Sequence, residues 1–230
     1  MEEGKVSVRP QRTEDYCYEA LRRAILEGRL LPNQRLVEVE LARTFGVGRA
    51  AVRTALVRLE QEGIVQREPN RGARVRLVTE SEAVEILEAR AALECLTVRY
   101  AARRATPEDI GELQKVLRRM EVCRERGDPL GYSEMNHELH RILLRIAGHA
   151  TAARLIDVLQ VQNVRYRYRT VLIPGRLARS LEEHRAIVEA VARGDPDGAE
   201  AAMRHHLQQV IEAMRQAAQM DHLRRVWNLD

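Results

Sequence analysis

Residues 35–76 read RLVEVELARTFGVGRAAVRTALVRLEQEGIVQREPNRGARVR. Apolar residues recur at helical spacing in two short stretches, Val37 to Phe45 and about Gly48 to Glu62, which Gly46 and Val47 separate. Two strand-like stretches follow at 64–67 and 73–78, with a tight Pro-Asn-Arg-Gly turn between them. Helix, turn, helix and a small β-ribbon in this order are typical of a winged helix-turn-helix, so the segment predicts DNA binding.

Arginines in the second of these helices are placed as a DNA-reading helix requires. Arg49 and Arg53 are four residues apart and share a face near its N-terminal end, whereas Val52 and Leu56 face the core. Other arginines of the segment are expected to contact the DNA backbone or the minor groove. They are Arg43 and Arg58 in the two helices, and Arg71, Arg74 and Arg76 in the wing, whose tip ends at Gly72.

The charge distribution agrees with a nucleic-acid partner for this part of the chain. The 230 residues carry 38 Lys and Arg against 34 Asp and Glu, a formal net charge of +4. Residues 1–78 hold 15 of these basic and 11 of these acidic residues, so the whole excess lies there and the remainder is neutral. The composition, 45% hydrophobic but only 3% aromatic, favours helices over sheets.

Cysteine usage and hydropathy predict a cytoplasmic protein. Cys17, Cys95 and Cys123 are odd in number and widely spaced, which argues against a disulfide framework or a cysteine zinc site. No apolar run approaches the roughly 20 residues of a membrane span. The N-terminal stretch lacks the apolar core of a secretory signal, so no membrane partner is expected.

Beyond residue 78 the sequence predicts helices only. They are expected at 80–104, 107–126, 130–147, 150–172, 176–193 and 197–218, because each break carries Gly or Pro beside a capping residue. An additional helix is expected upstream, over Glu14–Glu27. We therefore predict a mainly α protein with four parts. They are a flexible N-terminus at 1–12, a winged helix-turn-helix of three helices and a small β-wing at 13–78, an all-α bundle of six to seven helices at 79–220, and a C-terminal tail at 221–230.

Four side chains of the bundle fit a metal site. Asn136 and His140 are four residues apart and share one helix face. His184 lies ten residues before Gly194, and His206 ten residues after Pro196, so each stands about 15 Å from the intervening turn. In an antiparallel hairpin these two imidazoles meet at one level. Three nitrogens and an amide oxygen suit a divalent transition ion, although a hydrogen-bonded core histidine is the alternative for each residue.

The N-terminal motifs resemble those of GntR-family transcription regulators. The segment AILEGRLLPNQRLVEVELARTFGVGRAAVRTALVRLEQEGIV at 24–65 and the Pro-Asn-Arg-Gly wing tip follow that family's pattern over nearly all of 14–78. Asn33 stands for the usual Gly, Gly48 for a capping Ser or Thr that bonds a phosphate, and Ala51 for a common Pro. The resemblance implies operator contacts from Arg49, Arg53 and the wing-tip Gly72.

The bundle resembles the all-helical FCD-type ligand-binding domain of the FadR-like group in that family. The stretches NHELHRILLRIAGH, EEHRAIVEAV and AEAAMRHHL match its signatures in order. The resemblance implies a metal held by Asn136, His140, His184 and His206, with zinc expected first and nickel or manganese as alternatives. Asn136 stands where Asp is commonest, and a neutral oxygen weakens the attraction for a cation.

In that group the metal commonly binds a small carboxylate effector, and an arginine from the first bundle helix lies nearby. EARAALE at 88–94 matches that helix and nominates Arg90 for the effector. Arg165 and Arg169 are further candidates for the pocket. Ion pairing with a nearby Glu is the alternative for all three arginines.

Together these features predict a ligand-responsive regulator of transcription. We expect a homodimer on a palindromic double-stranded DNA operator, with half-sites about one helical turn apart. A small organic acid at the metal and Arg90 would change the bundle packing and the spacing of the recognition helices. Release of a repressor by its ligand is the arrangement expected from the family.

Three alternatives remain open at the level of sequence. The ion itself could be the signal, or Asn136 could leave the metal site empty so that the acid binds through arginine alone. A metal-dependent hydrolase is the third, since three histidines with an open position can activate water. It lacks a general base, because Glu138 and Glu183 point about 100° off the ligand face.

Overall fold

A computed structural model of the chain describes residues 10–68, 72–163, 170 and 172–227. The chain divides after Val78 into two compact units. In the described residues, the first unit contains three helices and a small sheet, and the second contains six helices. The prediction of a mainly α chain with a β-wing and an all-α bundle is confirmed. None of the described helices combines the length and the apolar character that a membrane span requires.

The first unit has the order of a winged helix-turn-helix. Its elements are α1 (Pro10–Leu26), β1 (Arg35–Leu36), α2 (Glu38–Phe45), α3 (Arg49–Gln61), β2 (Val65–Glu68) and β3 (Gly72–Val75). Gly46 adopts a left-handed conformation (φ 65°) and ends α2. The inner face of α3 is fully buried at Val52 and Leu59 and packs with α1. This packing leaves the opposite face of α3 exposed.

The wing has three strands rather than the expected two. Strand β3 lies in the middle and pairs antiparallel with β2 on one side and β1 on the other. β1 has only two residues, Arg35 opposite Arg74 and Leu36 opposite Ala73. Two residues are too short for an alternating pattern, so the strand is defined by its partner and not by its own sequence.

Asn33 has a structural reason to replace the usual glycine. Its φ is 65°, and it is the one non-glycine with positive φ among the described residues. Asparagine tolerates this left-handed region better than most side chains do. The backbone N–H of Asn33 donates to the backbone carbonyl of Val75 at 2.9 Å. This hydrogen bond connects the turn before β1 to the end of β3.

The second unit is a bundle whose helices begin close to the predicted residues. They are α4 (Glu80–Arg104), α5 (Pro107–Glu125), α6 (Pro129–Ala147), α7 (Ala150–Gln162), α8 (Arg176–Ala192) and α9 (Pro196–Trp227). α4 packs against α6, α7, α8 and α9. The core includes Leu139, Leu181, Ile187 and Met203, all essentially inaccessible to solvent. The apolar faces of α6, α8 and α9 therefore contribute to one core inside this unit.

Capping explains where several of these helices start. The Thr79 side chain accepts from the amide of Glu82 at the start of α4. At α5, Thr106 accepts from the amide of Asp109, and the Asp109 carboxylate accepts from the amide of Thr106. This reciprocal capping box satisfies two backbone donors that the first turn leaves free.

Three predicted boundaries were wrong. Residues 10–12 belong to α1 rather than to a flexible N-terminus, and residues 1–9 lie outside the described residues. α7 ends at Gln162, whereas the predicted helix continued to Leu172, which lies in a turn. α9 runs through Trp227, so a separate tail does not start at 221. The stretch 218–227 contains neither Gly nor Pro, and nothing in it ends a helix.

Replacing Thr106 by Ala tests the capping box. The variant loses the side-chain acceptor for the first turn of α5, so the free energy of unfolding should fall by about 1 kcal/mol. Urea unfolding followed by far-UV circular dichroism measures the change. Thr151→Ala, at an exposed position of α7, is the matched control and should differ from wild type by less than about 0.5 kcal/mol. Equal stability of the two variants would show that the box contributes nothing.

Candidate functional site

Three buried histidines converge in the bundle. His140 on α6, His184 on α8 and His206 on α9 each place one ring nitrogen within 4.8 Å of the others. The Nε2 atoms of His140 and His184 are 3.3 Å apart, and the ring centroids of His184 and His206 are 4.3 Å apart. The structure thus brings together His184 and His206, which the helix spacing placed at one level, and adds His140 from α6.

The other nitrogen of each ring has a hydrogen-bond acceptor. The Nδ1 atom of His140 lies 2.6 Å from Oε2 of Glu94, and that of His206 lies 2.7 Å from Oε2 of Glu183. The Nδ1 atom of His184 lies 2.6 Å from the backbone oxygen of Ser180. A carboxylate or carbonyl oxygen can only accept here, so each neutral ring carries its proton on Nδ1 and a lone pair on Nε2. Because Nδ1 is engaged in all three rings, Nε2 is the nitrogen that each histidine has left to offer within the cluster.

Two arginines hold the carboxylates that bind the histidines. Nε of Arg90 donates to Oε1 of Glu94 at 2.5 Å. Arg176 donates through both terminal nitrogens to the two oxygens of Glu183, each at 2.8 Å. Burial alone would raise the pKa of Glu94, but Arg90 and His140 outweigh it and lower the value to about 2. This carboxylate is therefore an anion that accepts from both neighbours.

Two of the histidines, His184 and His206, are held as neutral bases. Burial, followed by the neighbouring His140, lowers the pKa of His184 to about 3. Burial, followed by His184 and His140, lowers the pKa of His206 well below its usual value. Neutral imidazole is the form that binds a metal ion, so these rings need no deprotonation at neutral pH.

Asn136 and Arg90, the two other residues proposed for this site, differ in their surroundings. Asn136 lies one helical turn before His140 on α6 and is half-buried. Arg90 lies on α4, and its side chain keeps 17% of its surface exposed. Among the described residues only its Nε is engaged, by Glu94. The ion pair expected as the alternative for Arg90 is therefore present, and it leaves the two terminal nitrogens without a hydrogen-bond partner among the described residues. Arg165 and Arg169 lie outside the described residues.

The proposed DNA-reading residues lie on the exposed side of the first unit. Arg49 is exposed at the first residue of α3, and Arg43 is exposed in the last turn of α2. Gly48 precedes α3 without a side-chain cap. Gly72 is exposed at the start of β3 with φ 88°, a conformation that favours glycine. Arg71 lies outside the described residues.

Arg53 is exposed but already has a partner. Its Nε and a terminal nitrogen donate to the two oxygens of Glu38, at 3.2 and 3.0 Å. The Arg53 hydrogen bond, which outweighs partial burial, lowers the pKa of Glu38. Glu38 begins α2, so the carboxylate fixes the arginine of the recognition helix against the preceding helix.

Other arginines expected to contact DNA have contacts within the unit. Arg58 pairs with Asp15 at 2.7 Å, and its guanidinium lies 3.9 Å from the centroid of the Tyr18 ring. Arg74 donates to the carbonyl of Asn33, and Arg76 to the carbonyl of Gly63. These three side chains support α1, the turn before β1 and the wing.

Sequence reasoning missed the outer contacts of the histidine cluster. Glu94 follows Arg90 by four residues, a spacing that signals a helical ion pair. Arg176 and Glu183 are seven residues apart, which is two turns of one face. Both pairings are readable from spacing, but the histidine that each carboxylate meets belongs to another helix. The Glu183 carboxylate contacts Nδ1 of His206. It therefore does not lie at the Nε2 atom of that ring.

Comparison with known proteins assigns both units. Residues 13–75 match the model of the bacterial regulatory proteins of the gntR family, and residues 85–209 match the FCD domain. The chain is 31% identical over 204 residues to the HTH-type transcriptional repressor RspR of Escherichia coli, covering 88% of this chain and 89% of that protein.

Two further proteins extend the likeness. The "Probable D-xylose utilization operon transcriptional repressor" of Paenarthrobacter nicotinovorans is 30% identical, covering 82% of this chain and 83% of that protein. The solved structure of Escherichia coli McbR/YncC superimposes with a TM-score of 0.76 at 25% identity, covering 89% of this chain and 97% of that one. These families and relatives are regulators of transcription, not enzymes. The chain belongs to the GntR family of bacterial transcription regulators, and an FCD domain follows its helix-turn-helix domain in the sequence.

Proposed function

We propose that this protein is a repressor that a small carboxylate releases from its operator after binding at a metal centre in the FCD domain. The observation that carries the proposal is the convergence of one ring nitrogen from each of three histidines, while every Nδ1 has a hydrogen-bond acceptor outside the cluster. Outer hydrogen bonds of this kind fix the orientation and tautomer of metal-binding histidines. A histidine that only fills space in a core does not require two other histidines beside it.

The residues that would hold the ion are His140, His184, His206 and Asn136. Three imidazole nitrogens and one amide oxygen suit a divalent transition ion, zinc first, with nickel or manganese as alternatives. A bound ion supplies a Lewis-acid position for an oxygen of the effector. The chain's own contribution is to keep the three rings aligned and shielded in the bundle core.

Arg90 is proposed to bind the effector. Its Nε is fixed by Glu94, and its two terminal nitrogens are the groups left for a ligand. A guanidinium binds planar carboxylates well, and the ion pair with Glu94 limits the rotamers that binding must order. A small organic acid fits this chemistry.

The operator contacts are proposed for Arg43, Arg49, Arg53, Arg71 and Gly72. Arg49 is exposed at the N-terminal end of α3, the end that enters the major groove in helix-turn-helix proteins. Arg53 would reach DNA from its bidentate contact with Glu38. Gly48 offers no hydroxyl to a phosphate, so binding depends more on the arginines.

Regulation follows from a difference in affinity between two states of the protein. A homodimer in the cytoplasm would read a palindromic operator, and the effector would favour the state with the lower affinity for DNA. The similar Escherichia coli protein RspR is a transcriptional repressor, which supports this direction. The size of the response equals the difference in binding free energy of the effector for the two states.

The hydrolase alternative finds no support in the arrangement of charges. Glu94 and Glu183 both contact Nδ1 atoms, on the side of each ring away from the converging nitrogens, and both are paired with arginine. A general base must reach the water at the metal, so neither carboxylate is placed for that role. The alternative in which the ion itself is the signal predicts a different result. Removal of the ion by a chelator, with no organic acid present, would then change the affinity for the operator.

Replacing Arg49 by Ala tests the DNA-reading face. A lost base contact should weaken binding to a selected DNA site by about 1–3 kcal/mol, measured by fluorescence anisotropy at fixed salt. The site is obtained by selecting bound fragments from random DNA. Arg193→Ala, at the residue that follows α8, removes an exposed arginine from the bundle and should bind as wild type does. Unchanged affinity of the Arg49 variant would remove this residue from the operator contacts.

Replacing His184 by Ala tests the metal centre. The variant should lose the metal that the purified protein carries, as measured by elemental analysis after dialysis, because only two imidazoles remain. Far-UV circular dichroism should still show a helical chain. His205→Ala, which removes an exposed neighbour of His206, is the matched control and should keep its metal. Full metal content in the His184 variant would contradict the proposed metal site.

A further inference from the structure

A groove of about 600 Å³ lies between α5 and α6 of the bundle. One face of α5, over residues 115–123, forms one wall, and Gly131, Glu134 and Met135 of α6 form the other. The residues at the three-histidine cluster and Arg90 do not line it. The groove is therefore a feature that the proposed metal centre does not use.

The floor of the groove is apolar. Val122 is 41% exposed, and Cys123 and Met135 are half-buried beside it. Gly131 keeps one end open, because a Cβ atom there would lie 3.1 Å from Sγ of Cys123. Apolar side chains that meet in an exposed concave surface mark a place for a partner.

Cations occupy the α5 wall. Lys115, Arg118 and Arg119 are exposed at i, i+3 and i+4, and none of them has a hydrogen bond or ion pair with the part of the chain that the structure describes. In contrast, Arg124 and Arg141 on the same two helices pair with glutamates. Like charges at this helical spacing repel each other and destabilise the helix. An anionic partner at this wall would remove that repulsion.

The charge of the groove is uneven. Its lining residues carry three positive charges on α5 and one negative charge, Glu134, on α6. The net value of +2 stands out, because residues 79–230 are neutral as a whole. A partner that fits both walls must therefore carry its acidic groups along the edge that faces α5 and not along the edge that faces Glu134.

We propose that this groove binds an acidic amphipathic helix of another protein. The apolar side of that helix would lie on Val122 and Met135, and its acidic edge would face Lys115, Arg118 and Arg119. A helix suits the groove because the α5 lining covers about 12 Å, or two helical turns. An amphipathic helix in a groove between helices is a common form of peptide recognition. The contact requires neither the metal centre nor the operator.

The test uses a fluorescein-labelled helical peptide of about four turns, with leucines on one face, glutamates along one flank and glutamines elsewhere. Full-length protein should raise its fluorescence anisotropy to saturation, and added salt should weaken the binding. A peptide with lysines in place of the glutamates should bind about tenfold more weakly or less, because its charges then face cations.

Cys123 reports whether the peptide lies in the groove. Cys17 and Cys95 are buried, so Cys123 is the most accessible thiol of the chain. Bound glutamate peptide should slow the alkylation of Cys123 by iodoacetamide, measured by mass spectrometry of the digested protein. Iodoacetamide is uncharged, so the nearby cations do not attract or repel the reagent itself.

A double variant, Arg118→Glu with Arg119→Glu, reverses the charge of the α5 wall. It should bind the glutamate peptide about tenfold more weakly than wild type and should gain affinity for the lysine peptide. A misfolded protein would not show that gain. Arg103→Glu with Arg154→Glu is the matched control, because it makes the same charge change at exposed positions of α4 and α7 outside the groove. Its affinities should equal those of wild type.

Three results would overturn the proposal. They are the absence of saturable binding of the glutamate peptide, an unchanged affinity for it in the charge-reversed variant, and an unchanged rate of Cys123 alkylation in the bound protein. Protection of Cys123 by octanoate without binding of the peptide would instead assign the groove to a small amphipathic anion, and the helix would be rejected. Metal content and operator binding are measured separately, so none of these results bears on the proposed function.

Discussion

The hydrogen bond at each Nδ1 atom is the constraint on which the histidine cluster depends. An imidazole has two nitrogens, and fixing the proton on one of them determines what the other can do. Glu94, Ser180 and Glu183 take the three Nδ1 protons, and three lone pairs converge as a consequence. Since Glu94 belongs to α4, the cluster requires the packing of α4 as well as that of α6, α8 and α9. The buried Arg176–Glu183 pair and the partly buried Arg90–Glu94 pair hold the two carboxylates that orient the rings of His206 and His140.

Many helix boundaries of the bundle can be predicted from the sequence, because the residues that cap the helices lie next to the helix starts. Thr79, Thr106 and Asp128 cap helices within three residues of themselves, so each start is visible without knowledge of the fold. The common level of His184 and His206 follows from equal distances to one turn, which depends only on the rise of a helix. The meeting of His140 with His184 depends on how α6 packs against its neighbours, and helix spacing alone does not specify it.

Features that the sequence hides are those set by partners distant in the chain. Strand β1 exists because β3 lies beside it, and Asn33 is left-handed because its amide meets the carbonyl of Val75. Glu94 and Glu183 each meet a histidine from another helix, 46 and 23 residues away respectively. Arg58 illustrates the reverse case. Its charge predicted a contact with the DNA backbone, but in the structure its guanidinium contacts the Tyr18 ring and Asp15.

The contact between Arg53 and Glu38 has a consequence for the salt dependence of DNA binding. A free arginine that meets a phosphate releases condensed counterions, and each such contact steepens the fall of affinity with salt. Arg53 enters the proposed complex with its charge already balanced by Glu38. If the pair persists on DNA, this arginine orients the recognition helix and adds nothing to the salt dependence. If the pair breaks, the freed carboxylate faces a polyanion, and the electrostatic gain of the arginine is offset. In either case the number of ions released is smaller than the number of arginines on the DNA-facing surface.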